Sequence, residues 1–111
     1  MKELTESTLR EMVATIVDAI SPEKIILFGS RARGQAGPVS DIDFLIVDSC
    51  KNDEDRDEAG LLGNLWNLLR KFGFSIDMLL FSTDEVEQWR DSRYHIVGVA
   101  FREGTVVYER T

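Results

Sequence analysis

Asp41 and Asp43 stand two residues apart in SDIDFLIV, at the threshold of an apolar run. On an extended chain that spacing sends both side chains to one face, with Cα atoms roughly 7 Å apart. Two ionised carboxylates held so close repel each other unless a cation fills the gap. Oxygen donors of this kind suit a hard divalent ion, Mg²⁺ foremost and Mn²⁺ as an alternative. Asp77 repeats the arrangement inside SIDMLLF, with Leu79 and Phe81 continuing its face. Asp48 reads instead as an acid that closes a strand. Upstream, Gly29-Ser30 ends the run KIILF, and Arg31 and Arg33 follow. Backbone N–H groups and a hydroxyl at such a turn donate to phosphate oxygens. A phosphate chain bridged to metal ions is the ligand that uses both halves.

These residues need elements that bring them to one edge. The stripe Leu9, Met12, Val13, Ile16, Val17 and Ile20 predicts a helix from about Thr8 to Ile20, with Thr8 and Glu11 as a capping box and Ser21-Pro22 as its stop. Lys24 to Phe28 and Ile42 to Val47 read as buried strands. Between them Gly34, Gly37 and Pro38 mark tight turning, with room for one helical turn after Ser30. An acid-rich loop over residues 48 to 58 leads into a second helix that runs to about Phe72 and stops at Gly73. Its stretch from Asp53 to Glu58 offers a charged rim to a basic partner. Ser75 to Phe81 is a third strand. Ser82 with Glu85 opens a helical region from about Thr83 to Glu103, broken near Asp91-Ser92, and Thr105 to Tyr108 is a last edge strand.

A short link between the first two strands makes them antiparallel, whereas a helical crossover makes the second and third parallel. The end of the first strand and the starts of the other two then share one edge. Gly29-Ser30, the Asp41/Asp43 pair and Asp77 are thereby gathered into a metal-and-phosphate mouth.

Composition narrows the alternatives. With 111 residues the chain reads as one domain, 1–111, and 43% apolar with 30% charged residues is an ordinary globular balance. No apolar run reaches the ~18–20 residues of a membrane span, and the N-terminus lacks a signal-peptide core, so a cytoplasmic location is expected. A single cysteine, Cys50, excludes an internal disulfide, and one histidine, His95, leaves no zinc ligand set. His95 reads as structural or surface, and Trp66 and Trp89 as core or partner-facing. A net charge of -7 repels phosphate backbones and argues against general nucleic-acid binding.

The combination of Gly29-Ser30, ten intervening residues, Asp41-Ile42-Asp43 and a later strand aspartate, Asp77, resembles the signature of the nucleotidyltransferase superfamily that includes DNA polymerase β. The stretch GSRARG…SDID resembles its small prokaryotic branch, the minimal nucleotidyltransferases (MNT). The resemblance covers nearly the whole chain. It implies an α/β (α+β) nucleotidyltransferase fold, with a small mixed β-sheet and helices packed against it. It further implies transfer of a nucleoside monophosphate, AMP from ATP or another NTP, with two Mg²⁺ ions. In these terms Gly29 and Ser30 match the triphosphate turn, with Arg31 and Arg33 beside it as further cofactor-binding candidates. Asp41 and Asp43 match the pair that ligates both ions. Asp77 matches the third acid, which also assists deprotonation of the attacking hydroxyl. Many members of this branch are antitoxins of a helical HEPN toxin.

Larger members carry an added acceptor domain, so the acceptor surface here is expected from a partner or from a second copy in a homo-oligomer. The main expectation is therefore protein adenylylation within a HEPN–MNT toxin–antitoxin pair. The alternatives are a non-catalytic antitoxin that masks its partner, and a transferase acting on an aminoglycoside-like small molecule.

Overall fold

In the computed structural model, residues 4–29, 41–48 and 57–110 are described. Ser30, Arg31, Arg33, the turn between the first two strands, Cys50 and most of the acid-rich loop lie outside the described residues.

Helix α1 spans Glu6–Ile20 and starts earlier than the Thr8–Glu11 pattern predicts. Thr5 is the N-cap, its hydroxyl accepting the Thr8 N–H at 3.1 Å. The earlier start adds a turn in which Glu6 pairs with Arg10 at 2.8 Å, an i,i+4 contact. Ser21 ends the helix in the left-handed region at φ 48, and its N–H donates to the Val17 carbonyl at 2.9 Å. Pro22, which is buried, then turns the chain into the sheet.

The sheet has the order β3-β2-β1-β4, with β1 Lys24–Phe28, β2 Ile42–Val47, β3 Ile76–Phe81 and β4 Thr105–Glu109. β1 runs antiparallel to β2 and β4, and β2 runs parallel to β3. The parallel pair is joined through helix α2, Glu58–Leu69, capped by the Asp57 carboxylate accepting the Gly60 N–H at 3.0 Å. A 3₁₀ turn, Arg70–Phe72, continues α2 to Gly73 at φ 75, a position that favours a residue without Cβ.

Alternation along the strands builds two cores. One face (Ile25, Leu27, Ile42, Phe44, Ile46, Met78, Leu80) packs on Met12, Val13 and Ile16 of α1 and Leu65 and Leu69 of α2. Phe44 and Leu65 are fully buried. Truncating either to alanine costs about 2–5 kcal/mol. The other face (Ile26, Phe28, Leu45, Val47) is covered by Val86 of helix α3, Thr83–Trp89, and by Val97 and Ala100 of helix α4, Ile96–Glu103. α3 starts with the expected capping box, Ser82 Oγ accepting the Glu85 N–H and Glu85 Oε1 accepting the Ser82 N–H, each at 3.1 Å.

The expected helical region from Thr83 to Glu103 is two helices, because three contacts fix residues 90–95 as a turn. Arg102 donates to the carbonyls of Ser92 and Arg93, each at 2.7 Å. His95 becomes the α4 N-cap, its Nδ1 accepting the Val97 N–H at 3.1 Å. Gly98 lies so close to the turn that an added Cβ would overlap the Ser92 carbonyl. The His95 ring stacks on Trp89 at 4.5 Å and meets Phe81 edge-on at 5.8 Å, which makes it a structural residue.

The free edge of β3 is partly covered. Ser75 and Phe81 offer their carbonyls to β2, accepting the N–H groups of Ile42 and Asp48 at 2.9 Å each. Backbone groups at the alternate positions therefore face outward. The outward carbonyl of Ile76 accepts the indole N–H of the exposed Trp66 at 3.2 Å. Among the described residues no helix is long and apolar enough to cross a membrane.

Candidate active site

Three strand ends meet where the acids were expected. Phe28, the last residue of β1, pairs with Asp43 of β2, and Asp43 pairs in turn with Asp77 of β3. Paired residues on adjacent strands send their side chains to the same face, with backbones about 4.8 Å apart. Asp43 and Asp77 are thus side by side, and Asp41 enters two residues before Asp43 on the loop leading into β2. All three lie beyond the cover of α4, which packs on β1. For the same reason Leu79, on the face of Asp77, is 36% exposed although its strand is apolar.

Gly29 adds a constraint that sequence reading assigned only to phosphate binding. It sits at φ 80, and a Cβ built there would overlap Asp43 Oδ2. A side chain at position 29 would therefore be strained by its backbone and would displace the carboxylate. The sole signal in the sequence is a glycine directly after a buried strand. Its bearing on Asp43 depends on the β1–β2 register.

The electrostatics follow from this crowding. Partial burial, then the charge of Asp77, then that of Asp41, push the Asp43 carboxyl above its ordinary range. Asp43 is half-buried, whereas Asp41 and Asp77 are exposed. Among the described residues no group of three His, Cys, Asp or Glu side chains is gathered closely enough to hold a metal ion by itself. The acids form instead an open, one-sided donor set. That fits Mg²⁺, which binds through one or two carboxylates and takes its remaining ligands from water and substrate phosphates. A cation there would also relieve the repulsion that raises Asp43.

Asp48 takes no part in this cluster. It is buried at 2% exposure past the far end of β2, about 16 Å of strand from Asp43.

The sequence profile of the nucleotidyltransferase domain family matches residues 7–99. A candidate nucleotidyltransferase from Sulfolobus solfataricus shares the fold with a TM-score of 0.61 at 21% identity, over 92% of this chain and 78% of its own. A chain in the structure of a toxin–antitoxin with AMP-PNP aligns with a TM-score of 0.59 at 18% identity, over 92% of this chain and 74% of its own. No curated protein matches the chain in sequence. The mixed α/β architecture expected from the sequence is the fold of these neighbours.

Proposed function

Given that the chain belongs to the nucleotidyltransferase domain family, we propose that it transfers AMP from ATP to a hydroxyl on a partner protein. The partner is a HEPN-like helical toxin, and the chain acts as its antitoxin. The observation that carries this reading is the pairing of Asp43 with Asp77 across parallel strands, with Gly29 pressed against the Asp43 carboxylate. The toxin–antitoxin neighbour with AMP-PNP supports both the nucleotide and the class of partner.

In this reading Asp41 and Asp43 hold two Mg²⁺ ions and Asp77 completes the set for one of them. Gly29 and Ser30 donate to the triphosphate, with Arg31 and Arg33 alongside. Bound there, the ions would neutralise phosphate oxygens and favour ionisation of the attacking hydroxyl. The chain's own contribution is positional. β1 and β2 fix Gly29 against the Asp43 carboxylate, and β3 fixes Asp77 at one strand spacing from Asp43. Asp77 is exposed, so an acceptor hydroxyl reaches it from solvent. Docking of the partner supplies the orientation that would otherwise need an acceptor pocket.

ATP titrated with Mg²⁺ and with EDTA tests the nucleotide half, and equal affinities would contradict it, because bare carboxylates repel a triphosphate. Intact mass of the protein encoded beside this chain, after incubation with it, ATP and Mg²⁺, tests the transfer half. A tightly bound, inhibited but unmodified partner would favour masking without catalysis.

A further inference from the structure

Tyr94 is 86% exposed, far more than any other large apolar or aromatic side chain among the described residues, the next being Val106 at 49%. Its backbone is nevertheless held on both sides. Arg102 donates to the carbonyls of Ser92 and Arg93, and the His95 N–H donates to Ser92 Oγ at 3.2 Å. The His95 ring is itself fixed between Trp89 and Phe81. A phenol is thus presented to solvent on a fixed base, which lowers the ordering cost of seating it in another molecule's site.

The surroundings of Tyr94 are basic. Residues 91–102 carry Arg93 and Arg102 against Asp91, while Arg90 is already paired with Glu87 at 3.5 Å, on a chain of net charge -7. The carboxylate mouth carries Asp41, Asp43 and Asp77. The turn of one copy therefore complements the mouth of another in charge, which favours encounter in that orientation. The same turn is anchored at the Phe81 end of β3, about 13 Å of strand from the Asp77 of its own chain. The clamps keep it there.

We infer that Tyr94 is an acceptor of nucleotidyl transfer between copies of this chain. This deepens the proposed transferase reading and rests on it. Tyr94 Oη bonds to the α-phosphorus of ATP held by a second copy, the bond from that phosphorus to the oxygen bridging the β-phosphate breaks, and pyrophosphate leaves. The phenolic proton passes to solvent. The product places one negative charge on the turn that carries Arg93 and is clamped by Arg102.

A two-copy complementation tests the inference. A Tyr94→Phe chain is the donor and a mass-tagged Asp43→Asn chain is the acceptor, mixed with ATP and Mg²⁺ and followed by intact mass and peptide mapping. At 86% exposure the loss of the hydroxyl leaves folding intact, and thermal melts check the Asp43→Asn chain. The expected result is AMP on Tyr94 of the Asp43→Asn chain, absent when that chain is alone, with a rate that rises with donor concentration. AMP on any other residue overturns the Tyr94 assignment while leaving the transferase reading standing. No AMP on either chain overturns it too. Mg²⁺-dependent ATP binding by the donor, measured on the same samples, then decides whether the transferase reading survives.

Discussion

The two ends of the sheet handle charge in opposite ways. At the far end Lys24 meets Glu109 at 3.4 Å, Arg90 meets Glu87 at 3.5 Å, and Thr83 donates to Glu23 at 2.9 Å. Lys24 and Arg90 also stand over the Phe101 ring, at 5.4 and 5.1 Å. Glu109, Glu87 and Glu23 thus each have a partner within the fold. At the near end three aspartates share one strand edge, and burial, then the charges of Asp77 and Asp41, push the Asp43 carboxyl up. Both ends border the same sheet. The difference shows that a ligand is called for where charge is concentrated and left for something else to balance. It is not called for merely where charge is plentiful.

The sharpest way to break this contrast is Asp77→Asn. Transfer should fall by about 10²–10³-fold or more, with ATP affinity reduced far less, because the lost group acts mainly in the transition state. Single-turnover transfer and equilibrium ATP titration separate the two effects. Asp48→Asn, at the far end of β2, should leave ATP affinity unaltered. If instead it abolishes transfer, the placement of the third acid is wrong.

Gly29→Ala comes next. It forces a side chain into φ 80 and against Asp43, and should cost roughly 1–2 kcal/mol of stability in denaturant titration. Mg²⁺-dependent ATP binding should weaken with it. An alanine variant of unchanged stability would mean that the β1–β2 register differs.

pH sharpens the contrast further. The folded-state pKa of Asp43 lies above its ordinary value of 3.8, so the native state holds that proton longer than the unfolded chain does. The contribution of Asp43 to stability is thus least unfavourable below pH 3.8, declines as pH rises through the folded pKa, and is constant above it. Melting curves across that window should show the decline in the parent and not in Asp43→Asn. At pH 7, added Mg²⁺ should raise the melting temperature of the parent only.

The smallest effect on transfer belongs to the balanced end. Lys24→Ala removes a partly buried stem and a cation over Phe101 as well as the Glu109 pair, and should cost about 1–2 kcal/mol of stability while leaving transfer untouched. A large loss of transfer would show that the two ends are coupled.

Much of this layout was readable from one dimension. KIILF, IDFLIV and IDMLLF are short apolar runs bounded by turn residues, and each is a strand within one residue of expectation. The direction of pairing followed from link lengths, and it put Asp77 opposite Asp43. The first helix start was misread because Thr5 and Thr8 are both competent caps. The contest was decided by the extra Glu6–Arg10 turn, a small energy that pattern reading does not weigh. The turn at 90–95 was half visible: Asp91-Ser92 flagged it, whereas the Arg102 clamp and the tight approach of Gly98 exist only once α4 folds back. The exposure of Leu79 was hidden for a similar reason, since α4 packs on β1 and leaves the outer strand bare. Ser30, Arg31 and Arg33 lie outside the described residues, and their assignment to a phosphate turn rests on the sequence alone.

The indole of Trp66 on the Ile76 carbonyl bears on how this molecule behaves when concentrated. An uncovered outer strand is a template on which a foreign strand can add, and repeated addition leads to fibres. By occupying one outward acceptor of β3, Trp66 removes the first hydrogen bond such a strand would need and sets a bulky ring in its path. The edge beside the carboxylates is thereby kept for folded visitors that bring a single hydroxyl, and closed to extended chains that would lengthen the sheet.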